Sequence, residues 1–77
     1  MPHYFFDTFD GEAWVIDEEG FECAHPDAAL AQAQAGLGDI AEDELPDHQR
    51  RAMIVRVRDG HGPVLEAHLD LDTVWLR

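Results

Sequence analysis

One stretch of the chain repeats its apolar residues with the period of a helix, and segments with the alternation of strands lie on both sides of it. Pro26 and Asp27 suit a first helical turn, because proline loses no hydrogen bond there and the carboxylate complements the helix dipole. Leu45-Pro46 predicts the end, since the residue before proline is driven out of the α region. The predicted core-facing stripe contains Ala29, Leu30, Ala33, Leu37, Ile40 and Ala41.

Before the helix, a turn signal at Asp10-Gly11 predicts a β-hairpin. Its first strand, His3–Phe9, is rich in aromatic residues, and residues 13–17 return as the second strand. Residues 21–24 add a short extended piece. Alternation places Tyr4, Phe6 and Thr8 on one face of the first strand and Phe5, Asp7 and Phe9 on the other.

After the helix, residues 52–58 and 63–69 alternate in the same way around the turn Asp59-Gly60-His61-Gly62. Residues 70–77 are too apolar for a free tail, so we expect them to dock on the sheet or on a neighbouring molecule. The whole chain, 1–77, is predicted to be a single α+β domain of order ββαββ. Its four-stranded antiparallel sheet carries one helix packed on one face.

Inside the helix, Gly36 and Gly38 each cost about 1 kcal/mol relative to alanine, so either another group approaches closely there or the helix is weak. Small residues also line the side of the helix away from the core stripe, at Ala28, Ala31, Ala35 and Gly38. This line could be a face for a partner helix, but it is more typical of exposed alanines, because alanine has the highest helix propensity.

One helix covers one face of a sheet, which leaves large apolar side chains for the other face. A chain this small also gains from self-association when it has no disulfides. We therefore expect a homodimer held by the sheet face or by an edge. The interface candidates are Phe5, Phe9, Trp14 (or Val15 in its place), Ile54 and Trp75.

The 77 residues include 17 acidic and five basic side chains, all five arginine, so the formal net charge is −12. Such a surface repels nucleic-acid phosphates and anionic lipid, so neither direct nucleic-acid binding nor membrane binding is expected. A basic protein partner or a cation fits the charge better. The single cysteine and the absence of a signal-peptide pattern predict a cytoplasmic protein.

No metal, cofactor or catalytic site is predicted. A calcium loop starting at Asp7 would place Phe9, Gly11 and Glu12 where oxygen donors and a glycine are required. A structural zinc site requires two close pairs of ligands, and the sequence offers only one, Cys23 and His25. The other candidate ligands are scattered along the chain at His48, His61 and His68.

The chain has no serine, and the acidic stretch around Cys23 disfavours a thiolate, so we do not expect an enzyme. Cys23 is predicted to be a small buried thiol instead.

Five segments of the chain carry a resemblance to known sequences. They are the opening Met1-Pro2-His3-Tyr4-Phe5-Phe6-Asp7, Asp10-Gly11, Asp17-Glu18-Glu19-Gly20-Phe21-Glu22, Asp43-Glu44-Leu45-Pro46 and Val55-Arg56-Val57-Arg58-Asp59. These segments resemble an uncharacterised family of short acidic bacterial proteins, grouped as a domain of unknown function and common in alphaproteobacteria. The likeness extends to about Leu69 and implies a compact cytoplasmic domain without known catalytic residues.

Three roles are compatible with the sequence. The first is a homodimeric protein-interaction or regulatory module with an acidic surface. The second is a nucleic-acid mimic whose carboxylates occupy the phosphate sites of a DNA-binding protein. The third is a protein that binds divalent cations.

Overall fold

The computed structural model describes residues 2–44, 51–72 and 74–77. The described strands form one antiparallel sheet in the order β2-β1-β4-β5, and β3 pairs with β1 on the same side as β2. The elements are β1 (His3–Phe9), β2 (Trp14–Val15), β3 (Phe21–Glu22), α1 (Pro26–Glu44), β4 (Arg51–Asp59) and β5 (Gly62–Leu71). The predicted α+β class is confirmed, and the short extended piece at residues 21–22 gives the sheet a fifth strand.

The two longest pairings place β1 and β4 at the centre of the sheet. Phe6 lies opposite Val57 and Thr8 opposite Val55, whereas Asp7 lies opposite Arg56. Because opposed residues of antiparallel strands point to the same side, this register collects the valines on one face and the arginines on the other. The alternation predicted for both strands is confirmed.

The core lies between α1 and the valine face of β4. Met53, Val55 and Val57 are fully buried there. Their neighbours on the helix are small, since Ala29 and Ala33 are also buried, and this lets the helix approach the sheet closely. Leu37 completes the buried stripe, and Ile40 and Ala41 pack against it. The prediction for Leu30 was wrong, because its position at the margin of the stripe leaves it 40% exposed.

One edge of β1 is covered by an interrupted strand. β2 pairs with residues 8–9 and β3 with residues 3–4, so residues 16–20 leave the sheet between them. The predicted second strand, 13–17, is therefore shorter than expected. The carboxylate of Asp17 occupies the gap, where its Oδ2 accepts a hydrogen bond from the backbone N–H of Phe6 at 3.0 Å.

At the opposite edge, β5 is longer than predicted, because Asp70 and Leu71 continue its pairing with β4. The described residues after it remain largely exposed, with Trp75 at 75%. The predicted helix end at Leu45-Pro46 lies outside the described residues. In the described part of the chain, no helix has both the length and the apolar character needed to cross a membrane.

Candidate functional site: the open face of the sheet

The sheet face turned away from α1 combines aromatic rings with paired charges. We call it the open face, and define it as Phe5, Asp7, Phe9, Trp14, Ile54, Arg56, Arg58, Glu66 and His68. The registers of β1 with β2, of β1 with β4 and of β4 with β5 place these side chains on one side. A surface of this kind can bind a partner by stacking and by hydrogen bonds.

Arg58 holds one half of the open face together. Its guanidinium carbon lies 4.4 Å from the centre of the Phe5 ring. Its Nε donates to Asp7 Oδ2 at 2.9 Å, and its Nη2 donates to the backbone carbonyl of Asp17 at 2.8 Å. Arginine suits this position because its planar group can stack on a ring and donate several hydrogen bonds at once.

Asp7 is the buried partner in this arrangement, with 5% of the residue exposed. Its Oδ1 also accepts a hydrogen bond from the backbone N–H of Asp17 at 2.9 Å. Removing one partner of a buried ion pair is costly, since the other charge is left without compensation. The pair therefore ties β1 to β4 and to the segment that follows β2.

Arg56 holds the other half of the open face. Its guanidinium carbon lies 4.7 Å from the centre of a Trp14 ring, and it forms an ion pair with Glu66 on β5. The hydrogen bond from Arg56, followed by one from His68 at 3.0 Å, lowers the pKa of Glu66 below its ordinary value. Phe9 packs beside Trp14 with a centroid distance of 5.2 Å.

Asp17 connects the open face to the turn that leads to β3. Its Oδ1 accepts hydrogen bonds from the backbone N–H groups of Glu19 and Gly20, at 3.0 and 3.1 Å. Burial acts to raise the pKa of Asp17, but the three backbone donors and the charge on Arg58 outweigh it, and the pKa lies below its ordinary value. This carboxylate is thus held in its charged form.

Four of the five predicted interface residues share the open face. Phe5, Phe9 and Ile54 are half-buried within a single chain, and Trp14 is 38% exposed. The fifth, Trp75, lies beyond the last strand. Guanidinium groups and neighbouring rings already cover much of this apolar surface. The open face of a single chain therefore exposes less apolar area than the sequence suggested.

The sequence analysis named no polar site residue on the open face, where Asp7, Arg56 and Arg58 lie, and it also missed Asp17, which joins that face to the turn before β3. A signal for three of them was present. The two arginines alternate with valines on one strand, and Asp7 alternates with two phenylalanines on another. Cations, a carboxylate and rings at the same strand period predict cross-strand pairs.

Cys23 is buried, as predicted, and carries a free thiol. Within residues 2–44, 51–72 and 74–77, no three His, Cys, Asp or Glu side chains are grouped so that they could share a metal ion. The candidate zinc ligand His48 lies outside these residues.

Comparisons with known proteins give a family and no activity. Residues 3–70 match the family model described as a domain of unknown function, DUF6894. Searches of curated proteins and of solved structures found no match.

Proposed function

The chain belongs to the DUF6894 family of domains of unknown function, and we propose that it is a homodimeric protein-interaction module that binds a basic protein partner. The partner contacts the acidic rim, defined as Glu12, Glu18 and Glu19. These three exposed residues lie in the segments that join β1 to β2 and β2 to β3. The free thiol of Cys23 suits a reducing compartment, so we place the protein in the cytoplasm.

Two arginines of the sheet are already paired with carboxylates, and this observation supports a basic partner. Both sheet arginines with described side chains are engaged with carboxylates, Arg56 with Glu66 and Arg58 with Asp7. Those cations therefore cannot offset the exposed acids elsewhere. A chain with a net charge of −12 then attracts cations over a long range. Complementary charge of this kind raises association rates and selects partners.

The open face adds a reason for the partner to bind at one place. The backbone of Asp17 contacts Asp7 and Arg58, and the carbonyl oxygen of Glu19 lies 2.8 Å from Nε2 of His3, so Glu18 and Glu19 lie at the end of the open face where Arg58 stacks on Phe5. One basic side chain of the partner can pair with Glu18 or Glu19 there, and another can stack on Trp14, which stays partly exposed at the opposite end beside Phe9. Electrostatic attraction and stacking then act together at the rim.

A labelled octalysine peptide tests the location of this binding. We expect its affinity, measured by fluorescence anisotropy at low salt, to fall about fivefold in the double variant Glu18→Gln/Glu19→Gln, because two charges beside the stacked rings are removed. The matched control is Asp39→Asn/Glu42→Gln on α1, which removes the same charge from exposed helix positions. Its affinity should stay within about twofold of the original protein.

Equal weakening by both double variants would show that the peptide responds to net charge alone, and the proposed rim would be wrong. The same conclusion follows if neither variant changes the affinity. Circular dichroism of each variant shows that the fold is retained, so a loss of binding cannot come from unfolding.

A further inference from the structure

The two edges of the sheet differ in a way that leaves one of them open to pairing. The edge beside β1 carries only two strands of two residues each, with the Asp17 carboxylate between them. Short strands and inward charges blunt an edge against other chains. In contrast, β5 runs for ten residues and pairs only with β4 among the described residues. Its pairing with β4 is regular from Leu65 to Leu71, and its outer backbone groups there form a template for another strand.

We infer that a second copy of this chain pairs along β5, antiparallel and in the register centred on Ala67. The inference rests on the proposed homodimer and specifies its seam. The two-fold axis then runs perpendicular to the sheet through the paired Ala67 residues. Both helices lie on one side, and the open faces of the two copies become continuous.

Geometry limits the choice of register. Outward-pointing backbone groups alternate along an antiparallel strand, so a two-fold seam must be centred on a residue and not between two residues. The candidates near the middle of β5 are therefore centres at Glu66, Ala67 and His68. Each candidate makes a different set of side chains face one another across the seam.

Charge selects among these candidates. Centring on Glu66 would place it opposite itself, and centring on His68 would place Glu66 opposite Asp70. Like charges directly opposite each other are destabilising. Centring on Ala67 instead places Glu66 opposite His68 of the second copy, twice by symmetry, and a carboxylate can accept a hydrogen bond from imidazole in either protonation state.

The apolar side chains agree with the same centre. Leu65 then faces Leu69 of the second copy on the side of the sheet that carries α1. Leu69 is 39% exposed in the single chain, so this contact buries surface that water now touches. The register shift in the pairing of β4 with β5, at Val57 and Arg58, interrupts the alternation of β5 just before Leu65, so the regular part of the seam covers residues 65–69. The segment Leu65-Glu66-Ala67-His68-Leu69 is thus complementary to its own reverse.

Two single-cysteine substitutions test the register directly. In Glu66→Cys and His68→Cys, both on the exposed open face, the new thiols should form an intermolecular disulfide only when the two variants are mixed under mild oxidation. Each variant alone should stay uncrosslinked, because residue 66 faces residue 68 across the seam. The original protein, whose Cys23 is buried, is the control, and non-reducing gels with mass spectrometry identify the product.

The outcomes separate the seam from the proposed homodimer. Crosslinking of Glu66→Cys or of His68→Cys alone would overturn the register centred on Ala67. A dimer mass by light scattering without any mixed crosslink would place the seam elsewhere, and the homodimer would stand. A monomer mass for the original protein at micromolar concentration would overturn both.

Discussion

The side chain of Asp17 supplies hydrogen bonds that a continuous edge strand would otherwise make between β2 and β3. Its two carboxylate oxygens accept three backbone N–H groups that a continuous edge strand would have paired or left to water. The neighbouring Gly20 allows this, with a φ of 76° and the backbone of β1 close by. A Cβ at Gly20 would lie 2.9 Å from the Tyr4 carbonyl oxygen, so no larger residue fits there without movement.

The substitution Asp17→Asn tests this role. An asparagine has one acceptor oxygen, and its NH₂ group would face a backbone donor where Asp17 presents a second oxygen. We expect the free energy of unfolding at pH 7 to fall by about 1 kcal/mol, because the backbone donors of Phe6 and Gly20 are partly buried and lose a charged acceptor. Urea denaturation followed by circular dichroism measures the loss. Glu18→Gln, an exposed neighbouring change, should alter it by less than about 0.5 kcal/mol.

The cost of Asp17→Asn should also depend on pH. The folded-state pKa of Asp17 lies below its ordinary value of 3.8. The stabilisation is therefore complete above about pH 5 and is lost as the pH falls through the lower, folded value. The difference between the two proteins should shrink below about pH 4. A difference that stays constant down to pH 2, or that grows, would contradict the role given to this carboxylate.

At the scale of elements, strand alternation and helix periodicity were sufficient to predict β1, β4, the first part of β5 and most of α1. Each has a long periodic pattern and a clear turn or proline signal. The second strand was predicted too long because residues 13–17 carry β-forming side chains. Its end depends on Asp17, a side chain that competes with the ladder, and propensity does not describe such competition.

The open face was predictable as a set of rings but not as a set of pairs. Alternation indicates which residues share a face, yet Asp7 lies opposite Arg56 and forms its ion pair with Arg58 instead. That choice depends on Glu66 of β5 competing for Arg56, and therefore on a register that no single strand contains. Pairings of this kind require the assembled sheet.

Neither glycine of α1 is required for close packing against another described element. A Cβ at Gly38 would meet no described atom within 4 Å, and one at Gly36 would make ordinary contact with Val55 at 3.6 Å. The helix is therefore weak at both positions and does not need the glycines for close approach. We expect Gly38→Ala to raise the free energy of unfolding by about 0.5–1 kcal/mol, because alanine loses less backbone entropy on folding.

Gly36→Ala should stabilise by a similar amount, with a small gain from contact with Val55. The matched control is Ala35→Gly, an exposed helix position where the opposite change should cost about 1 kcal/mol. All three are compared by urea denaturation at one protein concentration. A loss of stability in Gly38→Ala would mean that another surface lies against this side of the helix.

The net charge of this protein destabilises a fold whose hydrophobic core is already thin. A domain of 77 residues buries a smaller share of its surface than a larger one, so its net stability is modest. A net charge of −12 on this length adds repulsion that the unfolded chain relieves by expanding. The ion pairs of Arg56 and Arg58 act in the opposite direction but involve only two cations. Repulsion among the remaining carboxylates should dominate.

Salt should therefore stabilise this protein. Raising NaCl shortens the screening length from about 10 Å at 0.1 M to about 3 Å at 1 M. This weakens the repulsion between exposed carboxylates more than it weakens the attraction between Arg58 and Asp7, because that pair is partly buried. We expect the melting temperature to rise by several degrees, since about 1 kcal/mol corresponds to about 4–8 °C for a domain of this size.

The double variant Glu18→Gln/Glu19→Gln, which has two fewer negative charges, should melt higher at low salt and respond less to NaCl. Chloride is the suitable anion, because sulfate stabilises folded proteins through exclusion from their surface. If NaCl lowers the melting temperature of the original protein, the ion pairs of the open face outweigh the repulsion, and the surface is less available to a basic partner than its charge implies.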